Sequence, residues 1–325
     1  MSPSLRLSVA LATCNGERYL AEQLDSLAAQ SRLPDELVVS DDRSDDGTLA
    51  LVEAFAARVP FPVRILRNAE RLGLIRNFEQ AMRACTGDLV FLCDQDDVWL
   101  PAKLATVADH FERDPRLMVV LNDALLTDEQ LVGDTATQLG NVRAAGFPDS
   151  GFNFGCCSAH RRRWQEIALP IPGEVKYHDW WVNWLAHRTG TVLVDDRVLQ
   201  YYRRHGSNVT GWVLSGVAGV NRLKLFTEGR GRDMLADWRY QAQLRTLVAN
   251  RIAEHAALLR DLTGRDPESH EASLRAEARA VEGRIHACSP PRWRRAARVY
   301  RHWRSGHYAL YGSGWKSAVR DLLRP

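Results

Sequence analysis

Apolar positions in the first part of this chain come in short strand-like runs alternating with stretches at helical spacing. Leu7 to Leu11 alternate loosely and stop at Thr13-Cys14-Asn15-Gly16, a strand running into turn chemistry. Leu20, Leu24 and Leu27 then recur at helical spacing, and Gln30-Ser31-Arg32-Leu33-Pro34 ends that helix. The cycle repeats: a strand over 36–40 closing in Asp41-Asp42, a helix over 48–58, a strand over 62–66 and a helix over 77–84. Next comes the apolar run Leu89-Val90-Phe91-Leu92-Cys93, which delivers Asp94-Gln95-Asp96-Asp97 at its end. Pro101 opens a helix that continues from Lys103 to Arg113, and a strand over 117–121 closes at Asn122-Asp123. This rhythm predicts an α/β fold, a mostly parallel sheet with helices on both faces. Residues 127–150 are polar, carry Gly133, Gly140 and Gly146, and read as a long loop over one sheet edge. Residues 191–194 read as a strand, 233–262 as a long amphipathic helix and 269–286 as a second. Ser289-Pro290-Pro291 then breaks the chain before its tail.

Size and composition narrow the class. At 325 residues, 45% hydrophobic and 26% charged, the chain suits one large soluble domain with an appendage. No stretch approaches the ~20 consecutive apolar residues that span a bilayer. The N-terminus shows no signal-peptide pattern, and six cysteines without metal-ligand spacing fit reduced thiols in a cytoplasmic protein. The net charge of +3 hides an asymmetry: from Arg292 onward nine Arg or Lys face one acid, so the tail is +8 and the rest −5. Such a tail calls for an anionic partner, a membrane surface or nucleic acid. On a helical wheel Trp293, Ala297, Tyr300 and Trp303 share one face, with Arg294, Arg298 and Arg301 on another. That pattern suits an interfacial helix on anionic lipid, and equally a helix docked on the main domain with a solvated basic face. No nucleic-acid motif accompanies the charge, so nucleic acid is not expected as a partner.

Four constellations carry chemistry. Asp94 and Asp96, two apart at the C-terminal end of a buried strand, can aim at one hard cation, which prefers oxygen ligands. A solvated acidic loop is the plain alternative. Asp41 and Asp42 end a second strand where a base or ribose is within reach, although Ser44, Asp45 and Thr48 are also good helix caps. Tyr177-His178-Asp179-Trp180-Trp181 sets a carboxylate between a His and two indoles; restricted water there raises a carboxyl pKa toward useful basicity. An aromatic helix start capped by Asp reads the same way. Tyr202-Arg203-Arg204-His205-Gly206-Ser207-Asn208 has the cations and small residues of a phosphate-binding loop, or of a loop with two solvated arginines.

Taken in order, Ala12-Thr13-Cys14-Asn15, Asp41-Asp42-x-Ser44-x-Asp46-Gly47-Thr48, Arg76-Asn77-Phe78-Glu79 and Asp94-Gln95-Asp96-Asp97-Val98-Trp99 resemble the family 2 glycosyltransferases. Within that family they are similar to the rhamnosyltransferase-type branch of bacterial surface polysaccharide synthesis, including O-antigen. The resemblance covers roughly residues 5–212. It implies a GT-A fold and inverting transfer of a sugar, rhamnose from dTDP-rhamnose, to a saccharide or lipid-linked acceptor. It divides the chain into a nucleotide-sugar half (1–125), an acceptor half (126–212) and a helical C-terminal extension with the basic tail (213–325). It assigns Thr13, Asp41, Asp42, Asn77, Asp94, Gln95 and Arg203 to the donor. Asp94, Asp96 and His205 would hold Mg²⁺ or Mn²⁺, and Asp179 would be the general base. Asp123, His178, Trp180 and Trp181 would face the acceptor. Many members have Pro-Thr-Tyr-Asn after the first strand; this chain has Ala12-Thr13-Cys14-Asn15, so no aromatic is offered there for base stacking. A sugar nucleotidyltransferase and a non-catalytic nucleotide-sugar-binding subunit are the alternatives.

Overall fold

The computed structural model describes residues 4–206, 208, 234–311 and 314–323, which fall into two compact units, one up to 208 and one from 234. The expected boundary at 212/213 lies outside the described residues.

The first unit is built on one nine-stranded sheet. Its opening half follows the hydrophobic rhythm: β1 (Leu7–Thr13), α1 (Glu17–Ala28), β2 (Glu36–Asp41), α2 (Thr48–Ala56), β3 (Val63–Arg67), α3 (Leu74–Ala84) and β4 (Leu89–Cys93). β1, β2 and β4 are buried at every position, the signature of parallel strands covered on both faces. The strand order begins β3-β2-β1-β4, all parallel. Chain order therefore reverses between β1 and β4, and the crevice beyond the carboxyl ends of those two strands is where such sheets bind ligands.

The second half departs from the prediction. β4 pairs antiparallel with β8 (Ser158–Arg161), β8 antiparallel with β6 (Val119–Thr127), and β6 parallel with β9 (Val192–Arg203). The two-residue β5 (Val98–Trp99) pairs antiparallel with β9, and β7 (Gly133–Thr137) pairs with β6. β6 and β9 run well past the predicted stretches because each supplies the other's hydrogen-bond ladder. β6 also runs through residue 125/126, so the expected division there does not fall between elements. Residues 127–150, expected as loop, contain β7 and α5 (Gln138–Ala144), whose first turn is capped by the Thr137 hydroxyl accepting from the Gly140 N–H. α4 (Lys103–Arg113), α6 (Gln165–Ala168) and α7 (His178–Thr189) complete the unit.

The second unit is helical: α8 (Met234–Glu254), α9 (Ala256–Thr263), α10 (Pro267–Cys288), α11 (Ala296–Arg304), α12 (His307–Tyr311) and α13 (Trp315–Leu323). The single long helix expected over 233–262 is broken at His255, which caps α9. Inside the unit Arg284 of α10 forms a two-point ion pair with buried Asp321 of α13, at 2.6 and 2.8 Å, and its guanidinium lies 4.1 Å from the Trp238 ring centroid. The Tyr308 hydroxyl donates to the same carboxylate at 2.9 Å. A lone buried Asp would be costly; three donor groups from two other helices, α10 and α12, convert it into a staple. No helix among the described residues is long and apolar enough to cross a membrane.

Candidate active site

The loops after β1 and β4 face each other across the reversal point. Gln95 ties them: its Oε1 accepts from the Cys14 N–H at 2.9 Å and its Nε2 donates to the Cys14 carbonyl at 3.1 Å. A Cβ at residue 16 would stand 2.3 Å from Gln95 Oε1, so only glycine allows the clamp. Gln95, assigned to the donor by resemblance, thus already spends its amide on the neighbouring loop.

The residues expected to hold the nucleoside, Thr13, Asp41, Asp42 and Asn77, are buried and hydrogen-bonded among themselves and to adjoining loops. Asp41 accepts from the Thr13 hydroxyl at 2.8 Å and from the N–H and hydroxyl of Ser44 at 2.9 and 2.6 Å. Asp42 accepts from the N–H groups of Leu72 and Gly73 at 2.6 and 2.9 Å and from Asn68 at 3.0 Å. Asn77 accepts from the Ser40 hydroxyl at 2.7 Å and donates to the Thr13 carbonyl at 3.1 Å. These side chains shape the loops that wall the crevice. The cap at α2 differs from expectation: Asp46, not Asp45, accepts from the Thr48 N–H, at 3.0 Å.

The acids after β4 are arranged differently. Asp94 has its carboxyl pushed well above the usual range, first by burial and then by the like charges of Asp96, Asp97 and Asp179. Asp96 Oδ2 lies 2.8 Å from His205 Nε2 and 3.4 Å from Asn208 Nδ2. The His205 ring packs on Tyr19 of α1, centroids 4.8 Å apart. Asp97 is fully buried and structural: it accepts from Gln200 at 3.0 Å and from the Arg203 N–H at 3.3 Å. Gln200 in turn accepts from buried Lys103, whose ammonium also donates to the Cys156 carbonyl at 2.8 Å and sits 3.9 Å over the Trp99 ring. Burial raises Asp97, to about 8, and lowers Lys103.

Asp179, in the first turn of α7, has its carboxyl raised to about 6 by burial, against hydrogen bonds from the Trp180 N–H (2.7 Å) and the Gly155 N–H (3.2 Å). A Cβ on Gly155 would lie 3.1 Å from the Asp179 Cβ and 2.8 Å from His178 Nε2, so glycine lets this backbone approach the carboxylate. His178 stacks on Phe78, centroids 4.1 Å apart, and burial holds it neutral, with its pKa lowered to about 3. Neither of its ring nitrogens has a hydrogen-bond partner. The Arg76-Asn77-Phe78-Glu79 motif thereby acquires a physical role. Phe78 seats His178, while Arg76 and Glu79 grip the backbone of Ile171 at 2.9 and 3.2 Å, fixing the approach to α7.

Three expectations change. Trp181 was expected to face the acceptor, but it is fully buried and its indole N–H donates to the Ala168 carbonyl at 2.7 Å. One helical residue is a rotation of about 100°, which turns Trp181 inward and leaves Asp179 and Trp180 half-exposed. Arg203 was expected to face the diphosphate. Its buried guanidinium instead donates to the Asp96 carbonyl at 2.9 Å, to the Glu129 carbonyl and to Glu22, and lies 4.7 Å from the Tyr19 ring centroid. Asp123, expected near the acceptor, is buried and accepts from the N–H groups of Ala124 and Leu139 at 2.7 and 2.9 Å, holding the start of α5. Lys103, Tyr19 and Gln200 were not singled out in the sequence, because nothing local marks a lysine for burial or a tyrosine as a shelf for a distant imidazole. Residues 207 and 209–211 of the Arg-His loop lie outside the described residues.

Ligand chemistry follows from the donor set. Asp94 and Asp96 offer oxygens whose mutual repulsion a cation relieves, and His205 places a ring nitrogen beside Asp96; these donor types suit Mg²⁺ or Mn²⁺. Among the described residues, the three ligand groups that come within 4.8 Å of one another are instead Asp94, Asp97 and Cys156. That grouping suits a hard cation less well, since Asp97 is already bonded and the thiol of Cys156 is held well above its usual range.

Comparisons with known proteins agree with this geometry. Residues 8–129 match the sequence model "Glycosyl transferase family 2". An uncharacterized protein of Mycobacterium tuberculosis is 28% identical over 234 residues, 71% of this chain and 66% of its own length, so the match spans slightly under two thirds of that relative. The dTDP-rhamnosyl transferase RfbG of Shigella flexneri is 24% identical over 234 residues, 66% of this chain and 78% of RfbG. Among solved structures, S. aureus TarS 1-349 in complex with UDP-GlcNAc superposes with a TM-score of 0.57 at 17% identity, covering 98% of this chain and 80% of that one. With its motifs in family order on a GT-A-like sheet, the chain is similar to the family 2 glycosyltransferases, and residues 8–129 match that family's model.

Proposed function

We propose that this protein transfers a glycosyl group, with inversion, from a nucleoside diphosphate sugar to a hydroxyl of a saccharide or lipid-linked acceptor. The observation that carries the reading is the cluster of Asp94, Asp96 and Asp179: electrostatically coupled carboxyls, two of them raised, at the sheet's reversal point. Asp179 removes the acceptor hydroxyl proton as that oxygen attacks the anomeric carbon, and the bond from that carbon to the diphosphate breaks on the opposite face. A carboxyl with a pKa of about 6 is ionised at neutral pH and still basic enough to take a proton in the transition state. Asp94, Asp96 and His205 would hold the divalent cation, which when bound neutralises the departing diphosphate. Arg203 acts indirectly by anchoring the Asp96 backbone, and the loops fixed by Asp41, Asp42, Asn77 and Gln95 frame the nucleoside.

The donor reading, dTDP-rhamnose, is supported by the similarity to RfbG and by the branch the motifs resemble. It is tested by nucleoside diphosphate release from dTDP-rhamnose, UDP-N-acetylglucosamine and GDP-mannose in the presence of Mn²⁺ and an acceptor pool. Release confined to dTDP-rhamnose is expected. Release from another donor overturns the rhamnose reading and leaves transfer intact; release from none, with no nucleotide binding, overturns both.

A further inference from the structure

The C-terminal unit presents a surface that the transfer reaction does not use. All three exposed tryptophans among the described residues lie there: Trp293 (74% exposed), Trp303 (44%) and Trp315 (62%). Tyr300 and Val319 are exposed with them. α11 turns Val299 and His302 into its own unit and leaves Tyr300 and Trp303 outside, ring centroids 5.9 Å apart. α13 likewise buries Ser317, Ala318 and Asp321 and leaves Trp315 and Val319 outside. Isolated exposed apolar residues are ordinary on a protein surface; large indoles repeated along one short segment are not.

Charge identifies what covers them. From Arg292 onward the chain carries nine Arg or Lys and one acid, Asp321. That acid is fully buried and bonded to Arg284 and Tyr308, so it presents no negative charge at the surface. Arg294, Arg301, Arg304 and Lys316 are exposed beside the aromatics. A protein partner's apolar groove would bury the indoles and leave these cations facing apolar surface. Nucleic acid would take the cations and stack on exposed rings, but no nucleic-acid-binding motif accompanies this segment. An anionic lipid interface takes both, with indoles at headgroup depth and Arg and Lys stems lying along them to reach lipid phosphates.

We propose that the terminal helices α11 and α13, with the short 3-10 turn Arg292–Arg294 before α11, bind the surface of an anionic phospholipid bilayer through Trp293, Tyr300, Trp303 and Trp315, with Arg294, Arg301, Arg304 and Lys316 on the headgroups. Binding is peripheral and reversible, and independent of the sugar chemistry. The test is co-sedimentation of the full chain, without substrates, on vesicles of neutral phosphatidylcholine and on vesicles containing 30 mol% phosphatidylglycerol, a mixture of about one anionic lipid in three. Binding to the anionic vesicles only, weakened by high salt, is expected. Each basic residue near such a surface contributes about fivefold in affinity, so R294E/R301E/R304E should lose at least about a hundredfold. W303A/W315A should weaken binding at unchanged salt dependence. Circular dichroism confirms that each variant keeps its helices, and a variant that does not is replaced by R301Q/R304Q, which keeps the stems. Equal binding to neutral vesicles, no effect of the Arg changes, or a preference for duplex DNA over anionic vesicles would each overturn the proposal. So would a dimer that W303A/W315A dissociates.

Discussion

Two groups of acids end the strands on either side of β1 in one sheet, and the protein treats them in opposite ways. Asp41 and Asp42, after β2, are saturated by hydrogen bonds from Thr13, Ser44, Asn68, Leu72 and Gly73. Asp94 and Asp96, after β4, sit among further carboxyls, and Asp94 is raised well above its usual range, first by burial and then by the like charges of its neighbours. The first group spends its charge on holding loops. The second keeps a repulsion that a bound cation would relieve, and such an arrangement persists at functional sites because binding gains what folding gives up. A cluster of acids therefore reports function less by its count than by whether its lone pairs are already taken.

Substitutions separate the two cases, and the largest effect falls outside both. Asp179→Asn removes the base while keeping its shape, so kcat should fall by about 10²–10⁴ with nucleotide affinity nearly unchanged, measured by nucleoside diphosphate release beside a binding titration. Retained kcat would remove Asp179 from the mechanism. Asp42→Ala leaves two backbone N–H groups and the Asn68 amide without their acceptor, for a loss of roughly 3 kcal/mol in denaturant unfolding. Activity should fall only as far as the loop is lost. The pH profile comes next. Asp179 is raised to about 6, so kcat should drop about tenfold per unit as pH falls below that value, and a limb near 4 would contradict its burial. Asp94→Asn should have the smallest effect on stability, with the sign reversed. A carboxyl whose folded pKa is raised favours folding at low pH and opposes it above its unfolded value. The neutral amide should therefore stabilise the ligand-free protein at pH 7 by roughly 1 kcal/mol, about 2–4 °C in Tm, while activity is lost. Matching losses of stability in Asp42→Ala and Asp94→Asn would erase the distinction.

The same contrast marks how far the sequence reached. β1 to β4 and their helices were legible because each is a local pattern, a buried run or a helical stripe, that needs no partner to be recognised. β5, β7 and β8 were not: β5 is two residues long, and Ser158-Ala159-His160-Arg161 becomes a strand only because β4 and β6 flank it. The acids of the site stood out as motifs, yet which of them were already bonded depended on Leu72, Gly73 and Leu139, backbone groups that sequence spacing does not point to. Trp181 illustrates the limit most simply. Its type and neighbours resemble those of Trp180, and only the rotation of α7 separates a core side chain from one beside the base.

The central claim is that Asp94 and Asp96, after β4, serve a cation-bound nucleoside diphosphate. Isothermal titration of dTDP in the presence and absence of Mn²⁺, on the wild type and on Asp96→Ala, tests it most directly. The account predicts binding that requires the metal in the wild type and is lost in Asp96→Ala, with Asp179→Asn binding as the wild type does. Metal-independent binding, or full affinity in Asp96→Ala, would contradict it.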